Sequence, residues 1–301
     1  EIYLFPYTTL FRSWLTTRHP AKAAHPGLVR LKPFLDGLYF VYNRRELIHP
    51  DPLLFLYRYD DPLDREIAGL VASSLAYGRV AQILKSVSRV LDPLGPSPHR
   101  FLIAHPEAPS RLLEGFKHRF TAAGEVESLL ANAARAQREH GSLEGLLRHC
   151  LEKSADLLSA LDGFSDALSP ERRGFPLLTA PRDGSACKRL FLLLKWMVRR
   201  DDVDPGGWRA VAPRDLIMPT DTHIHAIALK LGLTKRKQAD LVTALEITER
   251  FREVAPDDPT RYDFVLSRFG IRTGLHADAL SDLLAHETPA SSVNQDRKSV
   301  V

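Results

Sequence analysis

Apolar positions along this chain recur with the period of helices. After Asp61, the stretch PLDREIAGLVASSLAYG places Ile67, Leu70, Val71, Ser74 and Leu75 at three-and-four spacing. That spacing predicts a helix buried along one face. The small residues Ala72, Ser73, Ser74 and Ala76 leave room for a second backbone to approach closely. The segment VAQILKSVSRVLDPLG (80–95) repeats the pattern through Val80, Ile83, Leu84, Val87, Val90 and Leu91, and stops at Pro93 and Gly95. Weaker helical patterns cover 124–139, 142–151 and 153–168. A strong one, KRLFLLLKWMVRR, covers 188–200. Another runs from about 222 to 231 and ends at Gly232, a residue suited to the left-handed position that closes a helix. QADLVTALEITERFREVA and PTRYDFVLSRFG predict two more. Asp51-Pro52, Asp61-Pro62 and Asp258-Pro259 read as helix starts, because Asp caps free N–H groups and Pro needs no partner in the first turn. Residues 169–184 read as a Pro/Gly/Arg-rich loop and 201–215 as an irregular connector. No strand set, internal repeat or glycine-rich phosphate loop is visible, so the pattern predicts an all-α fold.

Composition narrows this picture. The 301 residues are 44% hydrophobic and 26% charged, as in a globular protein of one large or two small domains. No apolar run reaches the ~18 residues of a membrane helix, so no membrane association is expected. The net charge of +4 permits a polyanionic partner without requiring one. Two cysteines, Cys150 and Cys187, exclude a disulfide scaffold and an all-cysteine zinc or iron–sulfur centre, and suit a reducing, cytoplasmic location. Residues 1–13 (EIYLFPYTTLFRS) and 296–301 (DRKSVV) read like translated adapter sequence and are set apart from the fold. The tail from 287 is polar and expected to be disordered.

Two segments carry candidate chemistry. In GSACKRLFLLLKWMVRR (184–200) a glycine-containing turn leads into a helix, with Lys188 in its first turn. Lys188, Lys195 and Arg199 fall near one stripe, and Arg189 and Arg200 broaden it into a basic surface. A helix N-terminus offers N–H groups to phosphate and disfavours a cation, which helps to free a lysine amine. The plain alternative is a solvated basic face. The second segment is PTDTHIHAIALKLGL (219–233), where Asp221 precedes a helix and can act as its cap. Asp221, His223 and His225 also resemble metal ligands, but only Asp221 and His225 share a helical face, and two ligands are too few for zinc. The run TKRKQ (234–238) is expected to open a helix and to hold a phosphate. Arg44 and Arg45 in YNRRE read as structural ion-pair residues.

These residues carry a family resemblance. Gly184-Ser185-Ala186-Cys187-Lys188 resembles the G-x-G-x-K hairpin of the helix-hairpin-helix DNA glycosylase superfamily, with Ala for the second Gly. Thr220-Asp221-Thr222-His223 resembles its downstream Asp string. The long stretch between Lys188 and Asp221 is most similar to the archaeal oxoguanine glycosylase branch, and the four-Cys cluster motif of endonuclease III is absent. The superfamily's wedge Gln is unmatched, with Ala76 at that position. More closely, residues 31–273 resemble a bacterial family known only as a domain of unknown function, through YNRRELIHPDP, DREIAGLVASSLAYGR, GFKHRF, SACKRLFLLLKWMVRRDDVDPGGW and DPTRYDF.

The resemblance implies a two-lobed helix-hairpin-helix glycosylase-like fold with a cleft between lobes. Residues 60–200 would form the central lobe, and 14–59 would pack with 201–286 in the other. It implies a base-excision glycosylase, possessing Schiff-base lyase activity in its bifunctional form, that acts on a flipped base in duplex DNA; an oxidised purine is expected. Lys188 would be the nucleophile and Asp221 the catalytic carboxylate. No cofactor or metal is expected. Arg189, Lys195, Lys235, Arg236 and Lys237 would meet the DNA backbone. Tyr77, Trp196, Trp208 and Phe264 are the candidates for base pocket or wedge. Two other readings stand beside this one: a non-catalytic nucleic-acid-binding module on the same scaffold, and a metal-dependent hydrolase using Asp221, His223 and His225.

Overall fold

The computed structural model describes residues 26–170 and 176–268. The expectations for 1–13, 287–301 and 296–301 lie outside them. The described chain is mostly helical, in the order α1 Pro26–Tyr42, α2 Pro62–Ser74, α3 Val80–Leu91, α4 Pro98–Ala104, α5 Ala108–Leu112, α6 Ala123–His140, α7 Leu143–Glu152, α8 Leu157–Leu168, α9 Lys188–Val198, α10 Thr222–Lys230, α11 Leu241–Arg252 and α12 Asp263–Arg268. Short 3-10 turns occupy Arg45–Leu47 and Pro52–Arg58. The all-α expectation is met apart from one small hairpin, β1 Lys117–His118 with β2 Thr121–Ala122, paired antiparallel with His118 opposite Thr121.

Local chemistry sets most of the helix limits. Asp61 caps α2 by accepting from the Leu63 N–H, with Pro62 in the first turn, and Asp51 does the same for the turn at Pro52. Asp258-Pro259 is not a helix start. Its carboxylate instead accepts from Arg199 Nε at 2.9 and 3.1 Å, and α12 begins only at Asp263. Gly232, at φ +68°, follows the last turn of α10 as expected. The run 234–238 does not open a helix; α11 begins at Leu241, capped by Asp240.

Two helices organise the core. α2 is buried over most of its length and packs against α9 and the turn Pro52–Arg58. Gly69 permits that approach, since a Cβ there would lie 3.3 Å from both Leu193 and Met197. α9 is buried from Leu190 to Val198. Lys195, placed on an exposed basic stripe by the sequence, is 1% exposed. Its ammonium meets Asp204 at 3.1 Å and Asp263 at 3.2 Å. Arg199 is likewise buried and pairs with Asp201, Asp204 and Asp258. Helical spacing grouped these cations, but carboxylates from the following loop and from α12 fold over them.

A second buried carboxylate, Glu66 on α2, lies among neutral donors. It accepts from the Leu143 and Glu144 N–H groups at the start of α7 (2.6 and 3.0 Å), from Gln137 Nε2 on α6 (2.9 Å) and from Trp208 Nε1 (2.9 Å). Trp208 is therefore a core anchor rather than a base-pocket surface. Trp196 and Phe264 are core residues too.

Two stability tests arise from these buried groups. Burial alone would raise the Asp201 carboxyl, but Arg199, the Val203 and Asp204 N–H groups and the Tyr39 hydroxyl pull it down to about 2. Its contribution, about 2 kcal/mol, is present above the unfolded value near 4 and lost as pH falls toward 2. Asp201→Asn is expected to lower stability at pH 7 by about that amount and to flatten the acid limb between pH 4 and 2, read by denaturant titration at each pH. Glu66→Ala strands several buried donors and is expected to cost about 3 kcal/mol, read as a melting-temperature drop of roughly 6–12 °C.

Candidate functional site

The start of α9 faces the start of α10. Before α9, Gly184 turns left-handed at φ +74°, and Cys187 is left-handed at φ +46°. Ala186, at the position of the second hairpin glycine, is not among the left-handed residues, so a Cβ is tolerated there. The Gly184 carbonyl accepts from the Leu241 N–H at 3.0 Å, and Ser185 bridges Asp240, which ties the turn to α11. Cys187 is buried, and burial pushes its thiol up, which keeps it protonated beside the lysine. Neither cysteine forms a disulfide.

Lys188 extends from this turn across two other elements. Its Nζ donates to the Ala76 carbonyl at the end of α2 at 3.0 Å and lies 4.0 Å from Asp221 Oδ2. The two side chains stay partly open, at 27% and 29% exposure. Asp221 uses its other oxygen, Oδ1, to cap α10, accepting from the His223 and Ile224 N–H groups at 2.9 Å each. Cap and lysine partner are thus separate oxygens of one carboxylate. Behind it, buried Asp263 is pushed up by burial; Lys195 opposes that rise, and the charge of Asp221 adds to it.

Arg189 and Tyr77 frame the lysine. Arg189 donates to the Ser74 and Pro176 carbonyls at 3.3 and 2.7 Å and lies 5.3 Å from the Tyr77 ring centre. Burial pulls its guanidinium down to about 10, still a cation at neutral pH. It braces α9 against α2 and is not presented as a free phosphate ligand. Tyr77 donates to the His118 carbonyl at 2.8 Å and meets the Thr121 hydroxyl at 2.7 Å. Buried His118 bonds Ser86 Oγ at 2.8 Å and the Tyr77 carbonyl at 3.1 Å through its ring, and burial pulls its pKa down. Tyr77 is thus the anchor of the hairpin and has no freedom to act as a wedge. The hairpin tip carries Arg119 and Phe120 instead, with Phe120 66% exposed. The Arg119 side chain packs against Gly78, where a Cβ would lie 2.8 Å from it. Sequence reasoning missed this tip because two-residue strands leave no usable alternation. The clue was the bare Arg119-Phe120 pair within a non-helical stretch.

The remaining candidates divide. Lys235 and Lys237 are exposed on the loop after α10, as a DNA contact requires. Arg236 is spoken for by Asp240 at 2.5 Å and Thr243 at 3.0 Å, and its carbonyl holds the His225 ring at 2.8 Å. His223 is exposed. Among the described residues no three His, Cys, Asp or Glu side chains are arranged to hold a metal ion, so the hydrolase reading finds no ligand set. No helix among them is long and apolar enough to cross a membrane.

Comparison with known proteins adds one match. A protein-family model described as "Protein of unknown function (DUF2400)" covers residues 51–272, a span that holds Lys188, Asp221 and the hairpin. No curated protein and no solved structure matches the chain. With most of its length matched by that model, the chain belongs to the DUF2400 family.

Proposed function

We propose that this protein is a DNA base-excision glycosylase with lyase activity, built on a helix-hairpin-helix scaffold and acting on a base flipped from duplex DNA. The observation that carries this reading is the approach of Lys188 to Asp221, two residues nominated separately by the hairpin and Asp strings. A lysine that merely decorated a basic face would point to solvent, and the cap role of Asp221 uses Oδ1, leaving Oδ2 toward Lys188.

The chemistry assigns a role to each group. The neutral Lys188 amine attacks the sugar C1′ as the C1′–N bond to the base breaks, and the base leaves with a proton. The Asp221 carboxylate stabilises positive charge developing on the sugar and accepts the ammonium proton. Asp221 passes that proton to the departing base, ring opening yields an iminium, and the regenerated carboxylate takes a C2′ proton as the C3′–O bond breaks, the 3′-phosphate leaves and a C2′=C3′ double bond forms. A base must leave the stack before C1′ can be reached. Phe120 at the hairpin tip is the apolar side chain available to fill the vacated space, with Arg119 beside it for phosphate. Lys235 and Lys237 supply further backbone contact. An oxidised purine is the first lesion to test.

Borohydride added to the protein with duplexes carrying a panel of damaged bases is expected to trap a covalent adduct that Lys188→Ala abolishes. Base release without an adduct would replace the Schiff-base route with a monofunctional one, and no release from any lesion would overturn the glycosylase reading. Asp221→Asn keeps an effective helix cap and should leave the melting temperature nearly unchanged while slowing turnover by about 100-fold or more. Phe120→Ala is expected to slow base release about tenfold with folding intact.

A further inference from the structure

At the far end of α9, about 16 Å from Lys188 by helical rise, the chain forms a cleft. The cleft holds about 1180 Å³ between the end of α1, the turn Arg45–Leu47, the start of α2 and the loop after Arg199. Five arginines line it: Arg44, Arg45, Arg65, Arg200 and Arg261. The sequence suggested structural ion pairs for Arg44 and Arg45. In the structure no carboxylate among the described residues lies in salt-bridge range of any of the five. Arg45 stacks on the Tyr57 ring at 3.9 Å and Arg261 on the Tyr39 ring at 4.3 Å. Arg65 holds the Tyr59 carbonyl at 3.0 Å. Aromatic faces and a backbone carbonyl thus place these three guanidiniums.

The acidic residues of the cleft do not cancel them. Asp201 is engaged by Arg199, and Asp36 by Lys32 and the Tyr262 hydroxyl. Glu46, Asp60 and Asp202 remain as exposed carboxylates against five guanidiniums. Such a mixed lining disfavours a long polyphosphate and suits a ligand of one or two negative charges that also carries hydroxyl and amine donors.

Two buried polar atoms on the cleft wall have no partner. Asn43 is only 5% exposed, and its amide N donates to Asp201 at 3.0 Å. The amide cannot flip, because its oxygen would then face that carboxylate, so Oδ1 stays without a donor. Arg261 Nε lacks an acceptor as well. Both atoms lie beneath the cleft surface, closed to solvent. Phe40, 78% exposed at the rim, and the Arg45 guanidinium plane both present flat surfaces to a ring.

From five guanidiniums without a carboxylate in salt-bridge range among the described residues, and flat faces beside them in one cleft, we infer that this is a nucleotide-binding site, taking a phosphate carried on a ribosyl base, and distinct from the Lys188–Asp221 site. The phosphate could belong to a free mononucleotide or to the 5′ end of a strand, and both present the same chemistry.

Calorimetric titration of the full chain tests this with deoxyadenosine monophosphate, deoxyadenosine, inorganic phosphate, and a 12-nucleotide strand with and without a 5′ phosphate. Deoxyadenosine monophosphate is expected to bind at least tenfold tighter than deoxyadenosine or phosphate alone. The double variant Arg44→Ala/Arg200→Ala, which removes exposed side chains that have no ion-pair partner among the described residues, should weaken it at least tenfold, and Phe40→Ala should lower it toward the affinity of phosphate. Lys188→Ala should leave it unchanged, so this result stands or falls apart from the glycosylase assay. Tighter binding of the phosphorylated strand than of the mononucleotide assigns the site to strand ends, and the reverse assigns it to free nucleotide. No heat with any phosphate ligand at millimolar concentration, or binding indifferent to the arginine variants, overturns the proposal.

Discussion

A lysine and an arginine buried in a protein cost several kcal/mol each unless carboxylates close around them. In this fold α9 carries both. Lys195 and Arg199 project from consecutive turns into a pocket built by Asp201, Asp204, Asp258 and Asp263, which come from the loop after α9, the turn before α12 and α12 itself. Meeting those charges forces the chain to return twice to the same helix. The rest of the arrangement depends on that return: α1 joins through Tyr39 and Asn43, and α9 is held in one rotation about its axis.

That fixed rotation is what gives Lys188 its direction. Two turns before Lys195, its side chain crosses to the end of α2 and the cap of α10, while Arg189 ties the same turn to the Ser74 and Pro176 carbonyls. The two ends of α9 are also electrostatically linked, because Asp263 feels Lys195 on one side and Asp221 on the other. A single buried helix therefore presents different chemistry at each end: an amine beside a carboxylate at the start, and beyond its last turn a cleft of stacked guanidiniums.

The hairpin beside Lys188 shows how little chain is needed to place a side chain. Two residues in each strand suffice, because Tyr77 and His118 anchor the hairpin from beneath and Phe120 at its tip is largely exposed. The anchoring uses Tyr77, one of the candidates for base pocket or wedge, so the proposed role moves from the anchor to what the anchor holds.

The sequence by itself determined the helices with long apolar faces and their caps at Asp61 and Gly232, and through family resemblance it nominated Lys188 and Asp221 as candidates. These are local signals: periodicity, capping chemistry and short motifs are written in neighbouring residues. Short α4 and α5, the hairpin and the loop at 234–238 were not legible, since elements of one or two turns carry no period to detect. Only the tertiary structure decided the fate of the charges. Helical spacing placed Lys195 and Arg199 on a solvated stripe, and their burial depends on carboxylates as distant in sequence as Asp258 and Asp263. It decided likewise that Trp208 serves Glu66, that Arg45 stacks on Tyr57, and that Asp221 offers one oxygen to its helix and the other to Lys188, because each of these is a contact between segments that no local pattern encodes.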